Sequence, residues 1–519
     1  MAAGATARLA APRPRPRNGS VHDQGYRLPY TATDMLIAFQ SRLTGRPADI
    51  RMGLVPAALT VLWLSAGPVT AAAQNAPPAP PAPLTLDDAL RYAADHYPSL
   101  RVAVEEVTAA TANVVVARTA YLPRLDTLWQ SNRGTVNNIT GPLFPQSVVP
   151  SISGPPLATT SASSVWGSAA GALLSWEPFD LGLRAASVRE AEAAVTRARA
   201  GQALTRLQVQ QAVGSAYLSV MASRQAVVAA EADLTRRDTL ARTARALADA
   251  QLRAGAEAAR AEAERAAAQT RLIQARQGVV IAEAILSRAL GTDASATLAE
   301  SQSLLSRLPS EAPSAAGGAT HPLLQVQQAA VDLAASRDAV LSTSFRPRFL
   351  LQGSTSARGS GAGPDGRILG GTNGLWLDRV NWAAGVQVVF PNLFDIVGIR
   401  ARRDAAMATA RAEQARLDEQ RLSLTAEQRA ADAIAQAARE VAQNMPVQLE
   451  AARTSEAQAR ARFEAGLANI VEVADSQALL ATTEYQDGAA RVDVWRALLG
   501  RAVAFDTMDA FIALVRGRE

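Results

Sequence analysis

The chain has 519 residues, of which 48% are hydrophobic and 19% charged, so it is long enough for two or three ordinary domains and too apolar for a disordered protein. It contains no cysteine and only three histidines, which excludes disulfides, cysteine-bound metal, a lipid-bearing cysteine and nearly every histidine-based metal site or catalytic triad. The formal net charge of +5 is carried entirely by residues 1–51, so the rest of the chain has no bulk attraction for nucleic acid.

The first 83 residues have the pattern of a leader rather than of a folded domain. Residues 1–51 are rich in Arg and Pro, and we expect a disordered extension or a start assigned too early, with Met35 or Met52 as the real start. Residues 52–73 come directly after Arg51 and contain an apolar core of about 13 residues that ends in an Ala-x-Ala cleavage motif. This pattern predicts a secretory signal peptide. A Pro/Ala-rich linker, 74–83, comes next, and we expect the mature protein to be exported.

The remainder of the chain repeats one plan twice. Pro98 and Pro123 are 25 residues apart, and so are Pro322 and Pro347, each pair in similar surroundings. Further matches follow in the same order, which predicts an internal duplication. The expected organisation is a first repeat, a linker, a second repeat and a C-terminal tail, at 84–300, 301–320, 321–506 and 507–519.

Each half is predicted to contain one short helix and one long helical hairpin. The segments between the paired prolines, 98–121 and 322–345, lack Gly and are typical of helices. Long helical stretches then run over 180–254 and 395–465, and second helices return to Leu290 and Leu499. We expect the hairpin turns at Gly255 and Gly466 and a kink at Pro446. One heptad position of the first long helix carries Val213, Val220, Val227 and Leu234, which predicts a coiled-coil seam.

Four short segments between the helices alternate in hydrophobicity with a period of two. Two of them, 166–176 and 380–390, are about ten residues long and have aromatic ends, as lipid-facing barrel strands do. Their predicted partners, starting at Leu125 and Phe349, are shorter, and Ser/Gly/Thr-rich loops at 131–163 and 354–378 join each pair. The expected lipid-interface aromatics are Trp129, Trp166, Trp176, Trp382 and Phe390. The alternative is a half-buried strand of a soluble sandwich, but four strands cannot close a barrel within one chain.

This plan resembles the TolC-like outer-membrane efflux protein family over about residues 84–506. The most specific match is Phe463-Glu-Ala-Gly466, followed by Ile470-Val-Glu472-Val-Ala-Asp475. The resemblance implies a mainly α-helical homotrimer, with long hairpins forming an α-barrel in the periplasm and four strands per protomer in a shared twelve-stranded transmembrane β-barrel. It also implies location in the outer membrane, contact with outer-membrane lipid, and two partners, a periplasmic adaptor protein and an inner-membrane transporter.

The same resemblance implies a pore constriction at Glu472 and Asp475. Their spacing of three places both on one helical face, and three copies would form a ring of six carboxylates that attracts cations. An ordinary solvated acidic face is the alternative. With Gly255 matched to Gly466, the first hairpin offers Glu264 as a weaker candidate. The aromatic hydroxyl and the Arg that latch the family's prototype are replaced by Phe463 and Ala468, so any latch must use other residues.

The leading hypothesis is therefore a passive exit duct of a tripartite efflux pump or a type I secretion system. We expect no enzymatic activity, no cofactor, no metal site and no nucleic-acid partner, since no catalytic constellation or phosphate-binding loop is visible. The alternative functions are a periplasmic adaptor and a coiled-coil structural protein of an export system. The sequence leaves open whether the cargo is a drug, a metal ion or a protein.

Overall fold

The computed structural model describes residues 80–137, 144, 146–149, 160–293, 298, 302–306, 308–309, 321–363, 367–390 and 393–517. The predicted N-terminal extension and signal peptide lie outside these residues, as do most of the two predicted linkers. All described residues belong to one structural unit, Ala76–Glu519.

The elements follow each other in the predicted order, with two long helical hairpins and four strands. The helices are α1 (Leu86–His96), α2 (Pro98–Thr119), α3 (Leu183–Asp249), α4 (Gly255–Leu290), α5 (Gln302–Ser306), α6 (Pro322–Thr343), α7 (Ile396–Glu464), α8 (Ile470–Ala504) and α9 (Met508–Arg516). The strands are β1 (Arg124–Thr135), β2 (Ser164–Phe179), β3 (Arg348–Ser360) and β4 (Arg379–Val389). At 1.5 Å per residue, the 67 residues of α3 and the 69 of α7 are each about 100 Å long. Helices α2 and α6 both begin with Pro, whose fixed φ suits the first helical position.

The strands form one antiparallel sheet in the order β1-β2-β3-β4. Its register brings the predicted apolar faces of all four strands together, because Trp129 pairs with Ala170, Trp176 with Leu351, and Thr355 with Trp382. The opposite face carries mostly small and polar side chains, including Asp126, Gln130, Gln352, Asn381 and Gln387. The sheet therefore has one apolar and one polar face, and its edges, β1 and β4, have no strand beside them within the described chain.

The helices form two successive layers of four that share α3 and α7. Nearer the sheet, α3 contacts α2 and α6, and α6 contacts α7. Nearer the hairpin turns, α3 contacts α4 and α8, and α8 contacts α7. The order is thus α2-α3-α6-α7 in one layer and α4-α3-α8-α7 in the other, so each end helix has, among the described residues, one side without a neighbouring helix of its layer.

Small side chains allow the central helices to approach closely. A Cβ added to Gly214 of α3 would lie 2.8 Å from a methyl carbon of Leu499 on α8, so a larger residue could not be accommodated without movement. The main core lies near this crossing and includes the fully buried Tyr217 and Trp495. The indole of Trp495 donates to the carbonyl of Leu304 at 2.9 Å. Of the predicted heptad seam, Val213 and Val220 are fully buried, whereas Val227 and Leu234 are only half-buried.

The structure differs from the predicted ends of two strands and one helix, and it contains a helix within the predicted tail. β1 and β3 have 12 and 13 residues and extend into the predicted loops, because their Ser/Gly/Thr-rich ends still pair with the backbone of β2. α8 does not stop at Leu499 but continues to Ala504, since helical backbone tolerates Gly500 there. Residues 508–516 of the predicted tail form α9, which buries Phe511 in the core and pairs Arg516 with Asp87 of α1.

The remaining observations on the helices concern the proline within α7 and the hydrophobicity of the helices. α7 contains Pro446 and continues through it for another 18 residues. No helix in the described part of the chain combines the length and the apolar character that a membrane span requires.

Candidate functional site

The two hairpin turns have the same backbone geometry. In the first turn the N–H of Gln251 donates to Ala248, and that of Leu252 donates to Leu247. In the second turn Gly466 and Leu467 donate to Phe463 and Arg462 in the same pattern. Both are Schellman-type helix ends, and five residues separate the helices in each hairpin. Gln251 is therefore the structural equivalent of Gly466, and the offset between the turns is 215.

This equivalence corrects the predicted match of Gly255 with Gly466. Gly466 has φ +77°, a left-handed conformation that favours Gly, whereas Gly255 is the first residue of α4. The left-handed position of the first turn is occupied by Gln251, with φ +60°. The sequence comparison chose the wrong residue because it matched residue type, while the backbone requires only a helix end followed by a positive φ.

Arg253 connects the two turns, and the sequence analysis did not identify it. Its guanidinium lies 5.2 Å from the ring centroid of Phe463 and donates to the carbonyl of Ala468 at 3.2 Å. It also lies 3.8 Å from the carboxylate of Glu257. Phe463 is fully buried in a small apolar cluster that includes Ile470 and Val473. At the offset of 215, Arg253 of the first turn is the equivalent of Ala468 in the second.

Glu472 and Asp475 both lie exposed in the first two turns of α8, as their spacing predicts. The backbone N–H of Glu472 donates to the N-capping side chain of Asn469 at 3.0 Å. The carboxylate of Glu472 pairs with Arg462 at 3.1 Å, across the turn. Asp475 has no ion pair with any described residue. Whether the two carboxylates face a pore is a question of assembly, and that role stays a prediction.

Glu264 lies in a different environment from Glu472. Its carboxylate accepts from Arg237 at 3.2 Å, and Arg237, only 2% exposed, also binds Asp233 and the carbonyl of Ala474. Arg271 completes the cluster through Asp233 at 2.8 Å. This network joins α3, α4 and α8, and breaking one partner would leave a buried charge unpaired. The sequence matched Glu264 to Asp475, but the position equivalent to Asp475 is Arg260, so that match is wrong, although the predicted pore role of Glu264 is untested.

Four predicted interface aromatics lie on one face of the sheet, and Phe390 directly follows β4. Trp382 is 82% exposed, and Trp129, Trp176 and Phe390 are also exposed. Trp176 donates its indole N–H to the carbonyl of Tyr121 at 3.1 Å. Trp166 is half-buried, with the guanidinium of Arg133 5.7 Å from its ring centroid. The exposed apolar face has the pattern expected of strands in contact with lipid.

A buried ion pair holds the junction between β2 and α3. Asp180 accepts from the backbone N–H groups of Gly182 and Arg184 and pairs with the Arg184 side chain at 3.1 Å. The Arg184 guanidinium lies 4.6 Å from the ring centroid of Tyr121. Burial raises the pKa of Asp180, but these hydrogen bonds outweigh burial and hold the pKa below its usual value. The junction thus orients the long hairpin relative to the sheet.

Comparisons with known proteins agree with this architecture. The model of the outer membrane efflux protein family matches residues 89–292 and 318–499. The outer membrane protein VceC of Vibrio cholerae is similar in structure, with a TM-score of 0.65 and 16% identity over 81% of this chain and 95% of that one. The CmeC outer membrane channel of Campylobacter jejuni gives 0.64 and 15% over 81% and 85%. The MtrE outer membrane channel of Neisseria gonorrhoeae gives 0.62 and 18% over 81% and 88%. A search of curated proteins finds no significant match.

Proposed function

Because this chain belongs to the outer membrane efflux protein family, we propose that it is the passive exit duct of a tripartite efflux pump or a type I secretion system. Members of the family are outer-membrane channels with a large helical part in the periplasm. The fold agrees, since a sheet with one apolar face is joined to helices about 100 Å long. The proposal adds that the duct is a homotrimer and that its transport energy comes from partner proteins.

The observation that supports the trimer is that the sheet and both helical layers each have two edges without a neighbouring strand or layer helix in the described part of the chain. An open strand edge in lipid leaves backbone groups without hydrogen-bond partners, at a cost of several kcal/mol per group. Pairing β4 of one copy with β1 of the next removes these edges, and three copies close a ring of twelve strands. The same operation places α4 of one copy beside α7 of the next.

The facing helices carry matching apolar side chains. On α4, Ile273, Val280 and Ile281 are more than half exposed. On α7, Ile434 and Val441 are exposed and line an open groove of about 1000 Å³ with alanines of α7 and α8. Measured from the turn ends of the helices, these side chains lie about 18 to 26 residues along α4 and about 23 to 30 residues along α7, so their heights overlap. Burial of this apolar surface would stabilise the trimer by roughly 25 cal/mol per Å².

The test is the mass of the particle extracted from the outer membrane with detergent, together with its conductance in a planar bilayer. We expect three copies per particle and ohmic channels. The double variant Val280→Glu/Ile281→Glu should yield monomers, because it places carboxylates in the apolar contact. Arg242→Glu is the matched control, since it adds negative charge at an exposed position of α3, in the middle of the layer, and should leave the trimer intact.

Two outcomes would contradict the proposal. A soluble monomer obtained without detergent would favour the periplasmic adaptor or the coiled-coil structural protein. A trimer that survives the double variant would show that α4 and α7 are not the contacting edges. An adaptor protein and an inner-membrane transporter are the expected partners, and co-purification after cross-linking in cells would identify them.

A further inference from the structure

The equivalence of the two turns reveals a reversal of charge at the start of the returning helices. At the offset of 215, Glu257 of α4 corresponds to Glu472 of α8, and Arg260 corresponds to Asp475. The surroundings match as well, because the next residue in each helix, Ala261 or Ser476, is buried. The first repeat thus presents a cation at the position where the second repeat presents a carboxylate.

Of these four residues, two form ion pairs, and the other two, one positive and one negative, have no ion-pair partner among the described residues. Glu257 is paired with Arg253 at 3.8 Å, and Glu472 is paired with Arg462 at 3.1 Å. Arg260 and Asp475 are both exposed, and neither has an ion pair with a described residue. Within the described part of one chain, each returning helix thus presents one exposed charge without an ion pair soon after its turn, Arg260 on α4 and Asp475 on α8.

We propose that Arg260 is a selectivity-determining residue of the duct, alternating with Asp475 around its periplasmic end and offsetting the acidic ring. The inference rests on the proposed trimer, in which equivalent positions of the two hairpins face the same axis. Three copies then contribute three guanidinium groups and three carboxylates at one level. The end of the duct is close to neutral there, so it selects weakly between small cations and anions and admits anionic cargo as readily as cationic cargo.

The physical consequence is largest for a multivalent cation. A ring of carboxylates alone would bind such an ion, whereas three nearby guanidinium groups repel it. For a trivalent cation at about 10 Å, Coulomb's law in water with screening at 0.1 M salt predicts roughly a tenfold change in affinity when the three Arg260 charges are removed. Monovalent selectivity should change in the same direction by a smaller factor.

The experiment uses the purified full-length channel in planar bilayers, with hexaamminecobalt(III) added on the periplasmic side. The readouts are the blocking constant and the reversal potential in a KCl gradient. Arg260→Ala should lower the blocking constant roughly tenfold and shift the reversal potential towards cation selectivity. Asp475→Ala should shift both in the opposite direction. Arg276→Ala is the matched control, because it removes one arginine from the same helix about 24 Å farther from the turn.

The possible results distinguish a failure of the inference from a failure of the proposed function. If the wild-type protein forms no channels, the proposed function fails. If it forms channels and Arg260→Ala behaves like Arg276→Ala, Arg260 does not face the passage and the inference is overturned. If Asp475→Ala alone changes the block, the acidic ring exists without its counter-charge, which also overturns the inference. Opposite shifts for Arg260→Ala and Asp475→Ala support it.

Discussion

The contact between the two turns through Arg253 leads to a quantitative prediction. Replacing Arg253 with Ala removes a cation–π contact with Phe463 of about 1–2 kcal/mol and a charge-assisted hydrogen bond to the carbonyl of Ala468 of about 1.5–3 kcal/mol. It also leaves Glu257 without its partner, and one carboxylate oxygen of Glu257 is already buried without a hydrogen bond. The terms overlap, so we expect the turns to open about 2–4 kcal/mol more easily.

Hydrogen exchange measured by mass spectrometry follows this local opening. Backbone amides of residues 250–254 and 465–470 should exchange at least about 30-fold faster in the variant, because 1.4 kcal/mol corresponds to a factor of ten. Amides of the core around Trp495 should be unchanged, since they lie far along α8 from the turn. Arg242→Ala is the control: it removes an exposed i,i+4 ion pair on α3 and should change exchange by less than about threefold.

A second measurement isolates the Arg253–Phe463 pair. Phe463→Leu keeps an apolar side chain in the cluster and removes the aromatic ring, so the double variant with Arg253→Ala should show a coupling energy of about 1 kcal/mol. Equal exchange rates for Arg253→Ala and Arg242→Ala in both turns would refute the reasoning. So would strict additivity of the Arg253 and Phe463 variants.

Three further predictions concern stability, measured by thermal unfolding of the detergent-solubilised protein. Gly466→Ala should destabilise by about 1 kcal/mol, because its φ is +77°, and Gln251→Gly should stabilise by a similar amount; equal signs would contradict the turn equivalence. Asp506 lies between α8 and α9, and burial raises the pKa of its carboxyl group. The stability contributed by its protonated form is therefore lost as the pH rises through the folded-state pKa. Asp506→Asn should therefore raise the melting temperature at pH 8 and leave it unchanged at pH 4. The pKa of Asp180 is lowered despite burial, so its charged form contributes stability above its usual pKa that is lost as the pH falls through the folded-state value. Asp180→Asn should cost about 1–2 kcal/mol at pH 7 and progressively less as the pH falls through the folded-state pKa; a pH-independent cost would show that charge is not the cause.

The sequence by itself determined the plan of the molecule. Hydrophobic periods of two and of about 3.6 distinguish strands from helices within a few residues, and Pro98 and Pro322 mark helix starts because their backbone conformation is local. The duplication, the order of elements and the apolar face of each strand follow from the same local patterns. The fold class and the family were predictable for this reason, since both depend on pattern rather than on the position of any one side chain.

Only the tertiary structure decided which residues of the two turns are equivalent and which distant residues are in contact. Gln251 occupies a left-handed position without the Gly that signals one, so the equivalence of the turns was hidden from a comparison of residue types. Arg253 contacts Phe463 and Ala468 across more than 200 residues of sequence, and the Asp233–Arg237–Glu264 cluster joins separate helices. Such contacts depend on how helices of about 100 Å are placed side by side, and no local pattern specifies that placement.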